Sequence, residues 1–222
     1  MTEFSRVVKI ASNTIRLEVE SLNSLQKSIG KDFYQIIKLI QKSEGKVILC
    51  GLGKSGIIAT KIAATLNSTG TTAVFVHASD ASHGDMGVLQ KNDIIIFVSK
   101  SGNTKEINDL IPALKKNGNK IIGMTSNKSS SLAKKSDYIL FNTVEREACN
   151  FNLAPTTSTT NQLVLGDALA MSLMNLNNFQ PKNFAELHPS GNLGRRLNLI
   201  VKDLINYDMR PKVSCSTKMK DV

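Results

Sequence analysis

The sequence predicts an α/β protein: an αβα sandwich around a five-stranded parallel sheet, preceded by two helices. Three observations carry this expectation. From Lys46 onward, short apolar runs alternate with longer amphipathic stretches, several of the runs close in a glycine- or serine-rich turn, and no run is long enough to be a helix by itself. Strands that alternate with helices form a parallel sheet covered on both faces.

Ahead of the sheet, Phe4, Val8, Ala11, Ile15, Val19, Leu22, Leu25 and Ile29 recur every three to four residues, which predicts a helix over 4–29 stopped by Gly30. Phe33, Ile36, Ile37 and Ile40 repeat the pattern in a shorter helix ending near Gly45. Strands are expected at 47–50, 73–76, 93–98, 121–124 and 138–141. The first leads into a helix reaching about Ser68, the second into a polar loop through Asp85, and the third into a helix over 104–117. A helical turn over 129–135 precedes the fifth strand, and a last helix over 153–175 is entered through the Thr/Ser run 156–160.

Composition limits the classes of function. The 222 residues are 41% hydrophobic and 21% charged, the balance of a folded globular chain. The longest apolar runs, 47–50 and 94–98, fall far short of the roughly 20 residues a membrane-spanning helix needs. Glu3, Arg6 and Lys9 leave no signal-peptide core, and Cys50, Cys149 and Cys215 make no disulfide or zinc framework, so the chain reads as cytosolic with no membrane partner. The net charge of +10 divides into excesses of +2, +4 and +4 over residues 1–45, 46–180 and 181–222. So even a spread, with no Trp and 5% aromatic residues, argues against nucleic acid as a partner and suits small anionic ligands.

In a parallel sheet the ligand crevice lies at the carboxyl ends of the strands. Gly51-Leu52-Gly53-Lys54-Ser55-Gly56 follows the first strand and formally matches a dinucleotide fingerprint, but the second strand ends in Phe75-Val76-His77 without the acidic residue that holds a ribose. The P-loop pattern fails because Ile48 stands where its first glycine belongs. What survives is an anion site in which glycines bring backbone N–H groups close and Lys54 adds a charge. Ser99-Lys100-Ser101-Gly102-Asn103-Thr104 is a second such loop, rich in hydroxyls at a helix start. Two anion loops fit one phosphate on a small polyol better than a dinucleotide. His77, His83 and His188 fall in loops, Glu106 in a first helical turn, and Glu145 and Glu147 after the last strand. Bases, an acid and a cation around one crevice are what sugar enolisation requires.

Gly-Leu-Gly-Lys-Ser-Gly at 51–56, Ser-Thr-Gly-Thr at 68–71, Ser-His-Gly-Asp at 82–85 and Ser-x-Ser-Gly at 99–102 resemble the sugar isomerase (SIS) domain. Glu-Ala-Cys at 147–149, Leu-Ala-Pro-Thr-Thr-Ser-Thr-Thr at 153–160 and His-Pro-Ser-Gly-Asn-Leu-Gly-Arg-Arg-Leu at 188–197 narrow the resemblance to arabinose-5-phosphate isomerases of the KpsF/GutQ type. It covers roughly residues 4–210. It implies interconversion of D-ribulose 5-phosphate and D-arabinose 5-phosphate through a cis-enediol, the first step toward the lipopolysaccharide sugar Kdo. Lys54, Glu106, Glu147 and His188 match the family's catalytic set. Gly70, Thr71, His77 and His83 match its substrate-contact region, and Ser55, Ser99, Ser101 and Thr104 its phosphate loops. No cofactor is implied, although the His77 position is one where the family holds an inhibitory zinc. The resemblance also implies a homotetramer whose His188 reaches a neighbouring subunit's site, in keeping with the apolar stripe of the first helix, which Leu17, Leu22 and Leu25 widen.

The SIS domain is expected over 1–200, with its core at 40–180. Family members continue into two CBS modules, and 201–222 reads as a linker and the start of a truncated first module, for which about 20 residues are too few. Two readings stay open at this stage: an isomerase with Glu106 or Glu147 as base, and a non-catalytic sugar-phosphate sensor that regulates a partner.

Overall fold

The computed structural model describes residues 1–189, 213–214 and 216–218. They divide into a unit over Met1–Phe179 and the described part of a second over Gln180–Val222. Most of the linker and module start expected at 201–222 lies outside the described residues.

The first unit opens with α1 (Glu3–Ser28) and α2 (Lys31–Lys42). Then follow β1 (Val47–Gly51), α3 (Gly53–Ser68), β2 (Ala73–His77), α4 (Ala78–Ala81), a 3₁₀ turn (Asp85–Val88), β3 (Ile94–Val98) and α5 (Lys105–Asn117). β4 (Lys120–Thr125), α6 (Ser131–Lys135), β5 (Tyr138–Phe141) and α7 (Thr157–Leu176) complete it, and α8 (Pro181–Leu187) belongs to the second unit. The five strands run parallel in the order β2-β1-β3-β4-β5, as the alternation of strands and helices predicts.

Strand periodicity fills two layers. Val47, Leu49, Ile94, Ile96 and Val98 face α2, α3 and α7, where Ile36, Ile62, Leu66 and Leu169 are all at most 1% exposed. Ile48, Cys50, Ile95 and Phe97 face the other way, against Ile107, Ile111 and Leu114 of α5 and Leu132 of α6. Successive residues of one strand thus serve opposite cores, so both faces must be apolar.

Two sequence expectations shift. The loop after β2 contains the short helix α4, whose Ala78 and Ala81 are buried under the second core. The last helix starts at Thr157 rather than 153. Pro155 disfavours helical backbone in the residue before it. The amides of Thr156 and Ser158 at the helix start donate instead to Glu147 Oε2, at 2.9 and 3.1 Å.

The topology also fixes where a ligand can bind. From β1 the chain crosses through α3 to β2 on one side of the sheet, and from β3 it crosses through α5 to β4 on the other. α3 and α5 cover opposite faces. The sheet therefore splits its connections between β1 and β3, and the crevice opens at their carboxyl ends.

Candidate active site

The β1–α3 turn forms one wall of this crevice. Gly53 opens α3 with φ of +56°, a left-handed conformation that an L side chain rarely adopts. Lys54 follows, exposed at the helix N-terminus, and then half-buried Ser55. Ser55 Oγ accepts a hydrogen bond from Gln162 Nε2 at 3.2 Å.

The β3–α5 turn forms the opposite wall. Ser99 is 4% exposed and its oxygen is already engaged, accepting from the Gly102 amide at 3.1 Å and lying 2.9 Å from Thr104 Oγ1. Ser99 thus shapes the loop from within. Ser101 is exposed, with its Oγ accepting from the Asn103 amide at 3.2 Å. Gly102 has φ of +65°, and a Cβ there would lie 2.2 Å from Ser130 Oγ, so no other residue fits the turn. Thr104 caps α5, and Glu106 sits exposed in its first turn, where the helix dipole favours a carboxylate. No hydrogen bond joins Glu106 to another described side chain, so its oxygens are available to a ligand.

Glu147 is built differently. Its side chain is fully buried, yet it pairs with Lys100 Nζ at 2.6 Å from Oε1. Oε1 also accepts from Ser158 Oγ at 2.5 Å, and Oε2 from the Thr156 and Ser158 amides. Burial pushes its pKa up, but these hydrogen bonds, Lys100 foremost, overcome that and hold it at about 2. Glu147 is thereby a fixed anion that fastens the serine loop to the start of α7. The stretch around it is held just as closely: its amide donates to Asn152 Oδ1 at 2.7 Å, and that of Ala148 to Thr156 Oγ1 at 2.9 Å. Cys149 Sγ takes the amides of Ala154 and Leu153, which lower the thiol pKa. Cys50, by contrast, is pushed up to about 12 by burial and stays an inert core residue.

His77 ends β2 beside Gly51, with Nδ1 buried and 3.8 Å from Asp80 Oδ1. A zinc ion expected at His77 does not find its ligands here: among the described residues no three His, Cys, Asp or Glu side chains gather around a common point. His83 is exposed in the loop beyond α4. Gly70 and Thr71 join the end of α3 to the start of β2, which puts them on the amino-terminal edge of the sheet. A helix-to-strand connection in a parallel sheet must lie there, so this pair does not join the crevice. Gly70 instead packs on Phe179, whose ring a Cβ would approach to 2.5 Å, and the Thr71 amide caps α3 through Leu66 O at 2.9 Å.

His188 lies in the second unit. Its ring stacks on Phe184 at 3.9 Å, and Nδ1 lies 2.9 Å from the Phe184 carbonyl oxygen. A carbonyl only accepts, so Nδ1 carries the proton, and in the neutral ring Nε2 is the acceptor.

The sequence reading brings Lys54, Ser55, Ser99, Ser101, Thr104 and Glu106 to adjacent strand ends, but it misses Lys100, Ser158 and Gln162. Lys100 had a faint signal, a cation between two loop serines. Ser158 and Gln162 stand four apart on a helix that is otherwise apolar inward, a polar pair of the kind that marks a site.

The SIS domain family matches residues 39–172, more than half of the chain. The chain belongs to the SIS domain family. Within it, the chain is 52% identical over 214 residues to the probable arabinose 5-phosphate isomerase of Haemophilus influenzae, covering 96% of this chain and 63% of that protein. It is 48% identical over 210 residues to the arabinose 5-phosphate isomerase KdsD of Pseudomonas aeruginosa, covering 94% of this chain and 64% of that one. The chain thus spans just under two thirds of these curated relatives. A solved SIS structure, Escherichia coli CFT073 c3406 in complex with arabinose 5-phosphate, superposes with a TM-score of 0.82 at 41% identity, over 85% of this chain and all of that one. Among the described residues, no helix is long and apolar enough to cross a membrane.

Proposed function

We propose that this protein interconverts D-arabinose 5-phosphate and D-ribulose 5-phosphate. The observation that carries the reading is the pairing, at the sheet's switch point, of two anion-type loops with an available carboxylate on one wall and an ammonium on the other. The relatives' names and the arabinose 5-phosphate held by the c3406 structure agree with it. The phosphate suits the Ser101 hydroxyl, the Ser55 hydroxyl and the free amides at the start of α5.

The chemistry moves one proton between carbons. A base takes the proton from C2 of the aldose while the carbonyl oxygen on C1 gains one, giving the enediol. The O2 proton then leaves and C1 is protonated to give the ketose. Glu106 suits the base because its oxygens are available, whereas those of Glu147 are filled and weakly basic. Lys54 offsets charge on the enediolate oxygens. Glu147 acts through Lys100 and α7, holding the serine loop in place, and His188 Nε2 suits proton transfer between the two oxygens.

The assembly we infer is a homotetramer with shared sites. Phe4, Val7, Ile10 and Ile15 of α1 are 78, 59, 53 and 64% exposed, an apolar face that a soluble chain ordinarily covers. A monomer by light scattering at assay concentration would overturn this part. The enzymatic reading is tested by a coupled assay on purified protein with D-arabinose 5-phosphate, beside ribulose and ribose 5-phosphate controls. Turnover of the arabinose sugar supports it, and tight binding without turnover would make the protein a sensor.

A further inference from the structure

We propose that Gln162 is a positioning residue: its side-chain amide sets the direction of the Ser55 hydroxyl proton, so that the glycine loop presents a hydrogen-bond donor to the anionic end of the substrate. The inference rests on the sugar-phosphate reading and deepens it.

Gln162 is fully buried on α7, in a layer where its neighbours in the fold are apolar: Leu165, Leu169 and Leu173 on α7 itself, and Ile62 and Leu66 on α3. A glutamine there carries a cost, because its Oε1 is buried without a partner. A leucine or methionine of similar volume would avoid that cost. The only hydrogen bond its side chain makes to a described residue goes to the glycine loop, from Nε2 to Ser55 Oγ at 3.2 Å. An amide nitrogen only donates, so the serine oxygen must accept, and its single proton is turned away from the core. Ser55 donates to no described group, and it sits in the first turn of α3, where the helix N-terminus already favours an anion. The buried amide therefore converts a hydroxyl that could rotate into one whose donor faces the crevice.

The test compares Gln162→Met, which keeps volume but removes the donor, with Gln162→Glu, which replaces the donor by an acceptor and would pull the proton inward. KM for D-arabinose 5-phosphate is expected to rise about 3- to 10-fold in Gln162→Met and more in Gln162→Glu, with kcat within about twofold of wild type in the former. In a Ser55→Ala background, Gln162→Met should add nothing further to KM, because the group it orients is gone. An unchanged KM in Gln162→Met, or losses that add fully across the two sites, would overturn the proposal. If Gln162→Glu fails to fold, the methionine variant and the double-mutant cycle still decide. A wild-type protein that turns over no pentose phosphate would defeat the isomerase reading alone. The same cycle, read by calorimetric binding of inorganic phosphate, would then judge Gln162 by the same criterion.

Discussion

The two edges of the sheet carry comparable amounts of buried polarity and treat it in opposite ways. At the amino-terminal edge, Asp93 is buried and satisfied on both oxygens, by the Lys46 amide at 3.0 Å, by Lys46 Nζ at 2.6 Å and by the Gln90 amide at 2.8 Å. Asn119 beside it donates to the Gln90 and Asp93 carbonyls at 2.7 and 2.9 Å. At the carboxyl edge, buried polar atoms stay without partners: His77 Nδ1, Asn108 Oδ1, Ser126 Oγ, Asn142 Oδ1, Thr157 Oγ1 and Gln162 Oε1. Volume does not mark the functional edge, since an open cleft of about 570 Å³ lies at the amino end among Lys38, Lys42, Lys91 and Lys120. Satisfied networks make a rigid base for the fold, and unfinished ones mark where the molecule keeps capacity for a ligand.

The largest effect that separates the edges is expected from Glu106→Gln. It removes the base but touches nothing buried, so kcat should fall by about 10²–10⁴ while the melting temperature stays within experimental error. Near-wild-type turnover in this variant would return the role of base to Glu147.

A matched pair of buried acids sharpens the contrast. Asp93→Asn and Glu147→Gln each replace a buried anion that neutralises a lysine, and each should cost about 3 kcal/mol of stability in denaturant unfolding. Only Glu147→Gln should also lower kcat, because only it loosens the serine loop. The pH dependence follows from sign. The Glu147 pKa is depressed on folding, from 4.5 to about 2, so its stabilisation is present above pH 4.5 and fades as pH falls from 4.5 toward 2. Acid unfolding curves should show this loss in the wild type and not in Glu147→Gln, and coincident curves would contradict the assignment.

A smaller effect is expected from Ser101→Ala. A hydroxyl bonded to a charged phosphate is worth about 1.5–3 kcal/mol, so KM should rise roughly 10- to 100-fold with little change in kcat. A collapsed kcat with unchanged KM would mean that the loop does not cradle the phosphate.

The same contrast explains what could be read from the sequence. The strands and their closing loops were legible because runs such as Ile94–Val98 are buried on both faces and end in Ser99 or Gly51, signals contained within a few residues. The crevice followed from strand order, which turn chemistry largely implies. What stayed hidden depended on distant partners. Lys100 meets Glu147 across 47 residues of sequence, and Gln162 meets Ser55 across 107. Gly70 and Thr71 carry a family motif, but the direction of the chain places them at the opposite edge of the sheet. The late start of α7 turned on Glu147 serving as a cap from another segment, which no local pattern announces.

The central claim is that a pentose phosphate binds and reacts at the carboxyl edge, between β1 and β3. Hydrogen–deuterium exchange with and without D-arabinose 5-phosphate tests it directly. Peptides spanning 51–56 and 99–106 should gain protection on ligand addition, while those covering 38–44 and 118–120 at the amino-edge cleft should not change. Protection confined to the amino-edge peptides would contradict the account.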